Sequence, residues 1–210
     1  MRIVSNFVSL LAMVCILYLT FIRFSADVDV NISVPLVEVY PTKVRSTIYI
    51  DRQFSEKEKQ YIMEAASEWE NVTQGIVQYQ IVELPTFRTI DFQSCLFIIK
   101  ITPDDPEILL MDSQDTTVGF YTTKSGIPTI SLIEDAIEDK FYKSVVMHGI
   151  GHSLGLKHQS EIDDMGTLMY PYLKIKIGDY FIEVNSNDIT KTDLAQFCSL
   201  YRCNVDQLME

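Results

Sequence analysis

Histidine is scarce in this chain: three in 210 residues, all between positions 148 and 158. Composition alone therefore excludes a second histidine-built site elsewhere. Basic charge is also short, with 17 Lys and Arg against 29 Asp and Glu for a net charge of −12. That removes the basic face a nucleic acid needs, so no nucleic-acid partner is expected and the acidity reads as solubility. Cysteine is sparse. Of four, Cys15 lies in an apolar run, leaving Cys95, Cys198 and Cys203. An odd set of three excludes a dense disulfide framework. One bridge is expected in an exported protein, most simply from Cys95 to Cys198 or Cys203. Internal repeats and low-complexity tracts are missing, and an apolar fraction of 47% suffices for one core. The length fits one ordinary domain with a short appendage.

Charge is missing altogether from Phe7 to Ile22, with Arg2 ahead and Arg23 closing the run. A secretory apolar region is this long or shorter, and the twenty uncharged positions from Ile3 are just enough for a membrane span. Cleavage after Ala26 would place Phe24 at the −3 position, a poor site. Residues 1–25 are therefore read as a signal anchor in preference to a removed signal peptide. Both put the domain on the secretory route, membrane-anchored or secreted, outside the cytosol. The sequons Asn31-Ile32-Ser33 and Asn71-Val72-Thr73 agree with that route. Residues 26–44, carrying Pro35 and Pro41, read as an extended linker, and residues 45–210 as the domain.

What is present is concentrated in His148-Gly149-Ile150-Gly151-His152-Ser153-Leu154-Gly155-Leu156-Lys157-His158. His148 and His152 are four apart, so on a helix both imidazoles leave one face and can hold one ion. Gly155 can take a left-handed turn, end that helix and let His158 return as a third ligand. Three imidazoles with an open fourth position are the donor set of a catalytic zinc site. Pairs of histidines at this spacing arise by chance, but three at these offsets, with glycine at the bend, are not accounted for by packing. One zinc site is expected. Gly149, however, stands where zinc peptidases of the H-E-x-x-H type carry the glutamate that deprotonates metal-bound water.

The segment resembles the metzincin signature H-E-x-x-H-x-x-G-x-x-H followed by a methionine turn, complete except at Gly149. Met169 lies in Gly166-Thr167-Leu168-Met169-Tyr170-Pro171-Tyr172, which looks like the A-L-M-Y-P of matrixins, the matrix-metalloproteinase branch. The resemblance implies an α/β (α+β) metzincin fold: a five-stranded mixed twisted sheet with three helices, the zinc helix followed by the methionine turn. It implies that Met169 floors the metal and that Tyr170, Pro171 and Tyr172 wall the substrate pocket. It also implies that Val118, Gly119, Phe120 and Tyr121 form the antiparallel edge strand that a peptide joins by backbone pairing. Without the histidines, Met169 would pass for an ordinary core methionine. Gln159 replaces the usual serine after the third histidine, Pro171-Tyr172-Leu173 departs from Pro-x-Tyr, and no histidine remains for the second, structural zinc of matrixins. A calcium-loop pattern is not recognisable. Residues 26–44 are too short for a matrixin propeptide.

Ser55-Glu56-Lys57-Glu58 is a capping box opening a helix to about Glu70 that buries Ile62, Ala65, Ala66 and Trp69. Strands are expected over Thr47 to Asp51, Ile76 to Leu84, Cys95 to Ile101, Thr117 to Thr122 and Pro128 to Leu132. The zinc helix is expected from about Asp139 to Leu154, and a last helix from about Asp188 to Tyr201.

Two functions follow. One is an exported zinc metalloendopeptidase, weak or inactive because Gly149 cannot move a proton, a role worth about a hundred- to ten-thousand-fold in rate. The other is a zinc-stabilised pseudo-protease that binds a peptide or protein without cutting it. Glu161, in the loop after His158, is the one substitute base singled out. A small void beside the metal is expected where the glutamate is missing.

Overall fold

The structure, a computed structural model, describes residues 43–84, 94–109, 118–123, 126–159, 165–177, 180–184 and 186–210. The N-terminal apolar run, most of the linker and Glu161 lie outside the described residues. Strand β1 (Val44–Ile50) leads to α1 (Glu56–Val72), then β2 (Val77–Glu83) and β3 (Cys95–Ile101). A single turn, α2 (Pro106–Leu109), precedes β4 (Gly119–Thr122) and β5 (Thr129–Ile133). Helix α3 (Asp139–Ser153), the hairpin β6 (Lys174–Ile177) and β7 (Tyr180–Glu183), α4 (Lys191–Tyr201) and the turn α5 (Val205–Leu208) complete the order.

Five strands form one sheet in the order β2-β1-β3-β5-β4. Its inner pairs are parallel, and β4 runs antiparallel to β5 along one edge. With the three long helices, this is the mixed α/β architecture expected from the sequence.

Ser55 and Glu58 close the capping box at the start of α1. The buried face of that helix is Ile62, Ala65, Ala66 and Trp69, at the three-to-four spacing that keeps side chains on one stripe. The Trp69 indole donates to the Met147 carbonyl at 2.9 Å, joining α1 to α3 through a buried polar contact. Ile48, Leu96, Ile98, Ile130 and Leu132 supply the sheet side of the core, and Phe197 of α4, set against Trp69, closes its far end.

Two expectations are corrected. The disulfide is local, Cys198 to Cys203, while Cys95 is buried in β3 and takes no part in it. Arg202 takes a left-handed conformation at the end of α4 and turns the chain back, which brings Cys203 beside Cys198. The hairpin β6–β7 was not anticipated. Ion pairs from Lys174 to Glu138 and from Lys140 to Glu183 tie it to the start of α3. Among the described residues, no helix is long and apolar enough to cross a membrane.

Candidate metal centre

Helix α3 delivers His148 and His152 on one face, as their spacing requires. The helix ends in a Schellman arrangement. The Gly155 N–H bonds the His152 carbonyl at 2.9 Å, and the Leu156 N–H bonds the Gly151 carbonyl at 3.0 Å. Gly155 takes φ +88°, which a side chain would disfavour, and the reversed chain brings in His158.

The three Nε2 atoms converge, 3.0 Å from His148 to His152, 3.1 Å from His148 to His158 and 3.0 Å from His152 to His158. His148 Nδ1 lies 2.8 Å from the Leu168 carbonyl, and His152 Nδ1 lies 2.9 Å from the Leu156 carbonyl. A carbonyl can only accept, so both Nδ1 atoms carry the proton and both Nε2 atoms present bare lone pairs. Bare lone pairs at 3.0 Å repel unless a cation lies between them. Protonation does not relieve them: burial first, then the neighbouring His152, pushes the His148 pKa down to about 3. Burial likewise lowers His152 and His158. A triangle with these sides has a circumradius of about 1.75 Å, inside the zinc–imidazole distance of about 2.0–2.1 Å. His148, His152 and His158 would therefore all reach one ion at bonding distance. The donor set fits zinc.

The methionine turn packs directly beneath this helix. Met169 is fully buried, and a Cβ at Gly151 would lie 2.6 Å from its sulfur. Gly151 is thus the space the turn occupies. Asp193 holds the turn in place, and sequence reasoning missed it. Its buried carboxylate accepts from the backbone N–H of Leu168 and of Met169, each at 3.0 Å. The same carboxylate caps α4 through the Thr190 N–H and hydroxyl. A chain of contacts thus runs from the Thr190 cap through Asp193 to Leu168, and from the Leu168 carbonyl to His148. Thr190 with Asp193 three residues on is a visible capping signal; nothing in sequence says that the carboxylate also reaches the turn.

Beside the histidines is a cavity of about 370 Å³. The expected edge residues Val118, Gly119, Phe120 and Tyr121 line it, as do Tyr170, Pro171 and Tyr172. Tyr121 stacks on the His152 ring, with centroids 5.9 Å apart. Ile130, Leu132, Val145 and Leu173 complete the wall and were not foreseen as site residues.

Gly149 also lines this cavity, but the position a Cβ would take there is filled. A Cβ there would lie 2.9 Å from Ile130 Cδ1, 3.0 Å from its Cγ2 and 3.1 Å from its Cγ1. Ile130, a β-branched residue with few rotamers, fills the root of the missing glutamate from β5.

The family model for matrixin matches residues 46–201. The chain belongs to the matrixin family. Membership in this family of zinc proteases implies zinc, and the His148, His152, His158 cluster suits it. Among solved structures the fold is similar to that of myroilysin, at TM-score 0.50 and 13% identity, covering 80% of this chain and 97% of that one. High choriolytic enzyme 1, a hatching enzyme zinc-protease from Oryzias latipes (Medaka fish), also matches. Its TM-score is 0.46 and its identity 14%, over 78% of this matrixin and 92% of that chain. No curated protein matches in sequence.

Proposed function

We propose that this matrixin holds one zinc ion on His148, His152 and His158 and binds a peptide in its cleft, with hydrolysis slow or absent. The observation that carries the reading is Gly149 with Ile130 packed into the place of a side chain. Zinc, when bound, polarises a carbonyl and acidifies water. The chain's own residues then divide the remaining work. Leu168 and Leu156 carbonyls fix the two helix imidazoles in the tautomer that presents Nε2. The backbone of β4, an antiparallel sheet edge, can add a peptide strand. Tyr170, Pro171, Tyr172 and the aliphatic wall take an apolar side chain. At position 149 no group accepts or returns a proton.

In this reading the apolar segment Phe7–Ile22 sends the domain along the secretory route, as an anchor if uncleaved. Sequencing the mature N-terminus decides between anchor and signal peptide: a start at Asp27 removes the anchor.

The deciding experiment is peptide-bond cleavage by the purified, zinc-loaded chain against mixed peptide libraries. At most a trace of chelator-sensitive cleavage is expected. Chelator-sensitive, efficient turnover overturns the reading and points to a substitute base, for which Glu161→Gln is the first variant to assay.

A further inference from the structure

His148 and His152 inherit their placement from the hydrogen-bonded backbone of α3. His158 does not. It leaves an irregular stretch after the Gly155 bend, where the backbone has no helix or sheet ladder and needs other partners. The residues on both sides of it have them. After it, the Gln159 N–H donates to the Met169 carbonyl at 3.0 Å. Before it, the Lys157 N–H donates to Gln196 Oε1 at 2.5 Å, and Gln196 Nε2 donates back to the Lys157 carbonyl at 3.3 Å. One side-chain amide thus meets both polar groups of one residue, as a paired antiparallel strand would. Gln196 stands on α4 three positions after Asp193, whose carboxylate holds the methionine turn, so the two share a helix face. The Tyr201 hydroxyl, at the end of α4, donates to the Leu154 carbonyl at 3.2 Å. Helix α4 therefore grips the bend at its start, through Leu154, and just ahead of His158, through Lys157.

From this clamp we infer that Gln196 is a positioning residue for the third metal ligand. Its amide fixes the Lys157 backbone and with it the direction from which His158 enters. A ligand placed in advance loses little freedom when the ion arrives, whereas a loose one must be ordered at the expense of affinity. The inference rests on the reading of His158 as a zinc ligand. It adds what holds that ligand in place.

The test is the zinc affinity of the full chain, read by competition with a chromophoric chelator, for the native protein, Gln196→Ala, His158→Ala and the double variant. Gln196→Ala should weaken zinc about tenfold, the low end of the range for groups that orient metal ligands, because both bonds are open to solvent. That loss should vanish in the His158→Ala background, since the clamp acts through this ligand. A group that merely steadies the fold would cost the same in both backgrounds. In the cobalt-substituted protein, Gln196→Ala should also weaken the visible bands, as His158 spends less time on the ion. Lys191→Ala, which removes an exposed ion pair with Asp206 from the same helix, is the control and should leave zinc affinity unchanged. Native affinity in Gln196→Ala, with affinity lost in His158→Ala, overturns the inference and leaves the three-histidine reading standing. An equal loss in both backgrounds also overturns it. Native affinity in His158→Ala overturns the reading of His158 as a ligand, and the inference with it.

Discussion

The two sides of helix α3 differ sharply within a single turn. On the side of His148 and His152 every support of a metal ligand is in place: carbonyls on both Nδ1 atoms, a Schellman end that brings in His158, and a buried Asp193 that fixes the methionine turn. On the other side Gly149 offers no side chain, and Ile130 occupies the space its Cβ would take. Under the proposed function, binding and chemistry in this architecture are separable. The ligand geometry depends on backbone carbonyls and turns, while proton transfer depends on one side chain that the backbone does not hold.

The sharpest way to break the comparison is to restore the acid. Gly149→Glu alone should not give full activity, because its Cβ meets Ile130. The Gly149→Glu/Ile130→Ala pair should raise peptide cleavage about a hundred- to ten-thousand-fold over the native chain, in the range general acid–base assistance supplies. Steady-state assays with zinc at saturation check this, and equal rates for single and double variants would remove Ile130 from the account.

On the intact side, Asp193→Ala should cost about 3–5 kcal/mol of stability, since it strands buried N–H donors of the methionine turn. Denaturant unfolding measures it, and a loss under about 1 kcal/mol would mean the turn holds itself. Zinc removal comes next. At a free ion concentration about a thousandfold above Kd, chelation should remove about 4 kcal/mol, and His152→Ala should make stability indifferent to chelator.

Gly149→Ala sets two effects against each other. The helix gains about 1 kcal/mol from replacing glycine, whereas overpacking against Ile130 costs about 1–3 kcal/mol. Net destabilisation is expected, turning to stabilisation when Ile130→Ala is added. The smallest effect belongs to the exposed Lys57–Asp139 ion pair between α1 and α3. Lys57→Ala should shift stability by less than about 1 kcal/mol.

Several elements were legible because their signals are local. The capping box at Ser55, the helical stripe Ile62-Ala65-Ala66-Trp69 and the nearly continuous apolar run Cys95–Ile101 are carried by neighbouring residues, and each element forms where its signal lies. The hairpin after Leu173 has a sequence signal too, Gly178-Asp179 between two short apolar-containing segments. The disulfide was not legible, because it depends on the left-handed turn at Arg202, which no residue type there announces.

By itself the sequence determined the cluster of three histidines, the resemblance to the family and the glycine where that family carries its base, because spacing on one helix and one bend is a property of consecutive residues. Only the tertiary structure decided what stands in the place of that base and what holds the ligands still. Ile130 and Asp193 lie on other elements, 19 residues before and 44 after Gly149 in the chain. Their contacts exist only once β5, the methionine turn and α4 have closed around the helix, and close packing then makes the neighbour across the core as decisive as the neighbour in sequence.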